Sequence, residues 1–229
     1  MIDANKTIDT VKLKFYNEYL YTNHVYDEGE SGFHKEITEH VVKNYVDPLN
    51  LHKDSIILDL GCGPGYFLDE MQKRGYNNLT GVTLSTGDIH LCQNKGHTIK
   101  QYDLSFLPQS DGYYDESVDF IFLRHALEHS PYPIFSLMEY NRVLKQGGKL
   151  YIEVPAPYCA RQHELNINHY SILTDMMLSA LLLRTGFDID IFNNFKFTLN
   201  MPDKNNELTS VEEHFYCIVA TKTRPIDVK

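Results

Sequence analysis

Ile56-Ile57-Leu58-Asp59-Leu60-Gly61-Cys62-Gly63-Pro64-Gly65-Tyr66-Phe67-Leu68 is the segment from which the architecture follows. It opens on a short, mostly apolar run of the kind that forms a fully buried strand. The glycines then turn the chain tightly, and the residues from Tyr66 onward read as the start of a helix. Glycine serves such a turn in two ways: it permits backbone angles that a Cβ forbids, and it lets a ligand approach the main chain. A strand feeding a helix through this turn leaves backbone N–H groups pointing into a crevice, which makes it a cofactor site. The spelling is not the dinucleotide fingerprint, because Tyr66 stands at the third glycine position and Gly65 arrives early. It is not a nucleotide-hydrolase phosphate loop either, since no Gly-Lys-Ser/Thr follows.

Working outward, helices and strands alternate. A helix from Tyr66 to Arg74 is stopped by Gly75. A strand over Leu79 to Leu84 leads to a helix capped by Ser85 or Thr86, and a short strand near Thr98 to Tyr102 has Asp103 at its end. After a polar loop comes a buried strand, Val118 to Leu123. Pro131 and Pro133 restart the chain into a helix expected to end at Gly147-Gly148, with a strand over Lys149 to Val154. A helix over Ser171 to Arg184 ends at Gly186, and strands near Phe187 to Phe192 and over Glu213 to Lys222 read as a hairpin-like pair. The alternation predicts an α/β fold: a doubly wound, Rossmann-like sheet, mostly parallel, with helices on both faces. Residues 1–50 form an expected N-terminal helical cap of two helix-like stretches, broken at Asp27-Glu28-Gly29-Glu30-Ser31-Gly32, and residues 51–229 form the main domain.

Composition narrows the function. A chain of 229 residues suits one α/β domain with a substantial core. A formal net charge of −10 argues against a nucleic-acid partner, which favours a basic face. Cys62, Cys92, Cys159 and Cys217 show no C-x-x-C spacing and read as reduced thiols. No signal region or membrane-spanning run is evident, so a cytoplasmic protein without a membrane partner is expected. The mixed spacing of His90, Cys92 and His97 does not make a zinc set.

Asp59-Leu60-Gly61-Cys62-Gly63-Pro64-Gly65 resembles motif I of the class I S-adenosylmethionine (SAM) dependent methyltransferases, and the resemblance continues to about Phe187. It implies an antiparallel last strand and SAM as cofactor, lying across the strand ends. Asp59, Gly61, Cys62, Gly63, Gly65 and Tyr66 would surround its methionine part; Asp59 would either take up the ammonium or fix the glycine loop. Thr83 and Leu84 end the second strand, where the family usually has an acid for the ribose hydroxyls. A similar Thr-Leu-Ser occurs in enzymes resembling cyclopropane fatty acid synthases. Asp103 with Leu104 matches the adenine position. The resemblance also implies an N-terminal segment closing over the cofactor, with Tyr16, Tyr26, Phe33 and His34 either as lid contacts or as aromatics docking the helices.

On the acceptor side, Tyr114 to Phe122 resembles the family's fourth motif. It leads to Arg124-His125-Ala126-Leu127-Glu128-His129 and then to Arg142-Val143-Leu144-Lys145-Gln146-Gly147-Gly148, a pair familiar in small-molecule methyltransferases. A hydroxyl acceptor is helped by a general base of near-neutral pKa, and His129, His125 and His169 are the candidates. A helical turn would put His125, Glu128 and His129 on one face. H-x-x-E-H is also the spelling of inverted zinc peptidases, but here it follows a buried strand and is cut by Pro131. Ubiquinone-pathway O-methyltransferases have a similar Glu-x-x-Glu-His that can hold a divalent metal; this chain has His125 at the first position, and no metal is assigned. Glu128 bonding backbone and His129 packing structurally remain open. Arg124 is grouped with the cofactor residues, and it and Arg161 would orient an anionic acceptor or form surface ion pairs. The expected activity is methyl transfer to a small molecule at oxygen, with nitrogen or lipid-carbon transfer, or SAM binding without turnover, as alternatives.

Overall fold

The computed structural model describes residue 25, residues 27–202 and residues 208–226. Seven strands form one sheet in the order β3-β2-β1-β4-β5-β7-β6. They are β1 (Ile57–Leu60), β2 (Leu79–Val82), β3 (Ile99–Lys100), β4 (Val118–Arg124), β5 (Leu144–Pro155), β6 (Phe187–Pro202) and β7 (Leu208–Lys222). The first five strands pair in parallel, and β7 runs antiparallel to both β5 and β6. The order reverses between β1 and β4, which opens a crevice beyond their carboxyl ends.

Alternation along the strands builds the two faces. Leu58, Leu60, Ile121 and Leu123 pack with α4 (Pro133–Val143) and α5 (Asp175–Arg184) through Leu137, Tyr140, Leu178 and Leu182. Ile57, Phe120, Phe122 and Tyr151 meet α1 (Gly32–Val41), α2 (Tyr66–Lys73) and α3 (Thr86–Asn94) through Val41, Phe67, Met71 and Cys92. Phe67 stacks on Phe122 at 3.9 Å between ring centroids, and Phe122 on Tyr151 at 4.9 Å. The doubly wound architecture expected from the sequence is the one observed. Among the described residues, no helix is long and apolar enough to cross a membrane.

Several boundaries differ from the expected ones. The helix after Pro133 ends at Val143, short of Gly147-Gly148, because Leu144 is already extended and pairs with Val118. The register then shifts, so that Lys149 pairs with Phe120. Helix α5 starts at Asp175 under the Thr174 cap, because the Ser171 hydroxyl donates instead to Leu127 O (3.1 Å) and Ser130 O (2.9 Å). Strands β2 and β3 are shorter than expected, whereas β6 and β7 are far longer. Their pairing continues from Phe187↔Lys222 out to Pro202↔Leu208, well past Pro155↔Phe215, where β5 stops. Of the two expected N-terminal helical stretches, α1 is one; the other, with Tyr16 and Tyr26, lies outside the described residues.

Candidate active site

The loop after β1 is built into the sheet's end. Gly61 N and Cys62 N both donate to Val82 O, at 2.8 and 3.1 Å. Gly61 adopts φ 77, and a Cβ there would lie 2.5 Å from the Cβ of Ala126 in the loop after β4. Glycine is therefore required by backbone angle and by space at once. Gly65 (φ 82) is a packing glycine: a Cβ on it would meet Cys92 Sγ at 2.8 Å, so it seats α2 on α3 and does not line the crevice.

The crevice has two compartments that share Glu28, Gly61 and His125, and Gly63 borders the smaller. The larger, about 310 Å³, has Asp59, Cys62, Tyr66, Arg124 and His34 on its walls. The smaller, about 130 Å³, is lined by Thr83, Leu84, Asp103, Leu104 and His129. The larger alone reaches the lower end of the roughly 300–1,000 Å³ typical of small-molecule sites. Of the residues expected to bind the cofactor or act as general base, Gly65 and His169 line neither compartment. Thr83 Oγ1 accepts from Ser85 N (3.1 Å), and Asp103 Oδ1 accepts from Ser105 N (2.8 Å), so both also brace their own loops. His97 Nε2 pairs with Asp69 Oδ1 at 2.6 Å, and Cys92 Sγ donates to Gly63 O at 3.3 Å.

The segment before α1 crosses this crevice. Asp27 Oδ1 accepts from Ser85 Oγ (2.7 Å) and Gly87 N (2.9 Å), while Glu28 N and Gly29 N donate to the Asp88 carboxylate. Ser31 N donates to the Tyr66 hydroxyl. Pinned this way, Glu28 sets its carboxylate beside Gly63, where an added Cβ would be 2.8 Å from Oε2. Burial, with help from Asp88, raises the Glu28 pKa; burial and then Glu28 push Asp59 well above the usual carboxylate range. The buried Asp59 carboxylate and the Glu28 carboxylate face one crevice and together favour a cationic occupant. Glu28 is not foreseeable from residue spacing, because nothing in a polar loop says where it lands.

The acceptor end corrects one expectation. His125, Glu128 and His129 do not share a helical face: His125 has φ 50, in the left-handed region, and only Leu127–His129 form a single 3₁₀ turn. His125 Nε2 lies 3.0 Å from Glu153 Oε1 and Nδ1 lies 3.4 Å from Glu128 Oε1. Burial would lower its pKa, but the bonds to Glu128 and Glu153 prevail and raise it to about 9. Glu153, also paired with Arg124 Nε at 2.9 Å, is held down to about 2 against its burial, chiefly by Arg124 and His125. Arg161 pairs with Glu213 at 2.9 Å. His129 Nδ1 lies 2.9 Å from Asn168 O; a carbonyl only accepts, so in the neutral ring Nδ1 carries the proton and Nε2 the lone pair. The His169 ring packs edge-on against His129 at 5.0 Å, and burial lowers its pKa to about 4. Glu128, His129 and His169 each bring one ligand atom within 4.8 Å of the others.

A doubly wound sheet with a glycine-walled crevice at its switch point defines a nucleoside-cofactor protein of the class I methyltransferase type. A family model described as "Methyltransferase domain" matches residues 35–190, and the chain belongs to that SAM-dependent family. Relatives include a tRNA U34 carboxymethyltransferase of Aliarcobacter butzleri, 26% identical over 156 residues, covering 63% of this chain and 51% of the relative. A 27-O-demethylrifamycin SV methyltransferase of Amycolatopsis mediterranei is 25% identical over 143 residues, covering 59% and 53%. The chain thus spans about half the length of these curated relatives. Among solved structures, a SAM-dependent methyltransferase from Archaeoglobus fulgidus superposes with a TM-score of 0.63 at 18% identity, over 91% of this chain and 99% of that one.

Proposed function

We propose that the protein transfers the methyl group of SAM to a hydroxyl oxygen of a small-molecule acceptor, with residues 51–229 as the transferring domain and the segment up to residue 50 as its cap. The observation that carries this reading is the crevice whose walls include Asp59 and Cys62 in one compartment and Gly63, Asp103, Leu104 and His129 in the other, with Gly61 bordering both. Asp59 and Glu28 answer the positive charge of the cofactor, Thr83 and Asp103 its ribose and adenine, and Leu84, Leu104, Cys62 and Tyr66 the apolar surface between. When bound, SAM supplies a methyl group already activated on a sulfonium. The protein's task is then alignment, exclusion of water and removal of one proton. His129 takes the acceptor's hydroxyl proton at Nε2, and His169, neutral at pH 7, packs against it. His125 is cationic at that pH and serves as a positioning residue between Glu128 and Glu153. The four buried free cysteines fit a reducing, cytoplasmic setting.

A second reading takes an RNA acceptor, favoured by the tRNA-modifying relatives. The net charge of −10 weighs against it. Thermal shift with SAM tests cofactor binding: ligand at a hundred times its dissociation constant should add about 2.7 kcal/mol. Release of S-adenosylhomocysteine is then compared between hydroxylated small molecules and bulk tRNA. Turnover with tRNA alone would reverse the choice of acceptor, and no shift with SAM would remove the proposal.

A further inference from the structure

A second cluster of metal-binding side chains lies on the loop after β5. Cys159 and His163 stand four residues apart on that loop, and Glu213 comes from β7. One ligand atom from each lies within 4.8 Å of the others, and all three residues are more than nine-tenths buried. His163 Nε2 is 3.0 Å from Glu213 Oε2, so in the neutral ring Nε2 carries the proton. Nδ1 is then a bare lone pair, buried and without a hydrogen-bond partner. Leaving such a group unsatisfied is unfavourable.

The backbone carries an independent sign. Tyr158 (φ 62) and Gln162 (φ 50), the residues just before Cys159 and His163, both adopt left-handed angles. Neither is glycine, and a side chain's Cβ makes such angles unfavourable. Strain of this kind persists where something else fixes the chain, and it clusters at ligand clamps.

We propose that Cys159, His163 and Glu213 form a zinc site that clamps the loop after β5 to β7, with a fourth position for water. Thiolate, imidazole and carboxylate suit Zn²⁺, whereas Mg²⁺ and Ca²⁺ prefer oxygen alone. On binding, the Cys159 S–H bond breaks, its proton leaves to solvent and the S–Zn bond forms. Thiolate and carboxylate together balance the ion's charge. Arg161, 2.9 Å from Glu213 Oε1, stays as the carboxylate's outer partner. The site also reaches the acceptor side: the His163 ring stacks on His169 at 5.6 Å, and His169 packs on His129. The inference stands apart from the identity of the methyl acceptor.

The test titrates the metal-stripped full chain with Co²⁺ alone. A thiolate-to-cobalt charge-transfer band saturating at one equivalent is expected, and Zn²⁺ should displace it. The band should vanish in Cys159→Ser and persist in Cys217→Ser. The Glu128, His129 and His169 cluster holds no sulfur, so cobalt bound there cannot produce the band. Circular dichroism checks the fold of Cys159→Ser; should that variant not fold, His163→Gln takes its place, with the band expected to weaken or shift. No band in the wild-type chain, or an unchanged band in the folded variant, overturns the proposal.

Discussion

Replacing Gly61 with alanine probes the approach of the loop after β1 to the loop after β4. Two penalties combine at this position. The first is conformational: Gly61 has φ 77, and an L-residue there costs about 1–2 kcal/mol. The second is steric: the new Cβ would fall 2.5 Å from Ala126 Cβ. Carbon atoms pack best at about 3.5–4.0 Å, and forcing a methyl into a filled interior costs about 1–3 kcal/mol. The expected loss is therefore about 2–5 kcal/mol. Gly75→Ala is the control, because Gly75 has φ 84 but nothing within 4 Å of an added Cβ. It should lose only the conformational part. The change in unfolded-chain entropy is common to both variants and cancels in the comparison. Adding Ala126→Gly to Gly61→Ala removes the clashing atom and should return the loss to near the control value. Urea unfolding, with midpoints converted through the measured slope, reads all three. Equal losses for Gly61→Ala and Gly75→Ala would refute the close approach. So would a double variant no more stable than Gly61→Ala.

Glu153→Gln leaves Arg124 and His125 without their shared carboxylate and should cost about 3–5 kcal/mol, read by the same urea assay; a loss below about 1 kcal/mol would mean that water already screens the pair. His125 is raised from 6.5 to about 9 in the folded chain, so its contribution is complete below pH 6.5 and is lost as pH rises through about 9. The shift corresponds to at most about 3 kcal/mol; unfolding midpoints should decline across that window in the wild type and stay flat in His125→Asn. Glu28→Gln should weaken binding of SAM more than of S-adenosylhomocysteine, which lacks the sulfonium charge. Calorimetry with both ligands decides it, and equal losses would mean that Glu28 does not answer that charge.

The central strand-turn-helix was legible because its signals are local: an apolar run, glycines and a following amphipathic helix. Ser85 capping α3 and Gly75 ending α2 were legible for the same reason. What failed depended on distant partners. Leu144 joins a strand because Val118 lies beside it, and no nearby residue announces that. Beyond Phe192, β6 carries Asn193, Asn194 and Lys196, which are exposed, so burial leaves no periodic mark there. At the site, the glycine loop, Thr83, Asp103 and His129 stood out by position after each strand. Glu28 reaches Gly63 across thirty-five residues, and His125 takes its left-handed turn under the pull of Glu153. The fifty residues between His163 and Glu213 likewise hide their proximity from any spacing rule.

The two longest strands continue together past the point where β5 stops, on the side of the sheet where the crevice opens. From Leu208 to Glu212, β6 is the only strand that pairs with β7 among the described residues. A free two-stranded ribbon is marginal in water, so this one borrows its rigidity from the rooted portion, like a jetty from its shore. Evolution or an engineer can trim, lengthen or recolour that overhang at little cost to the foundation beneath.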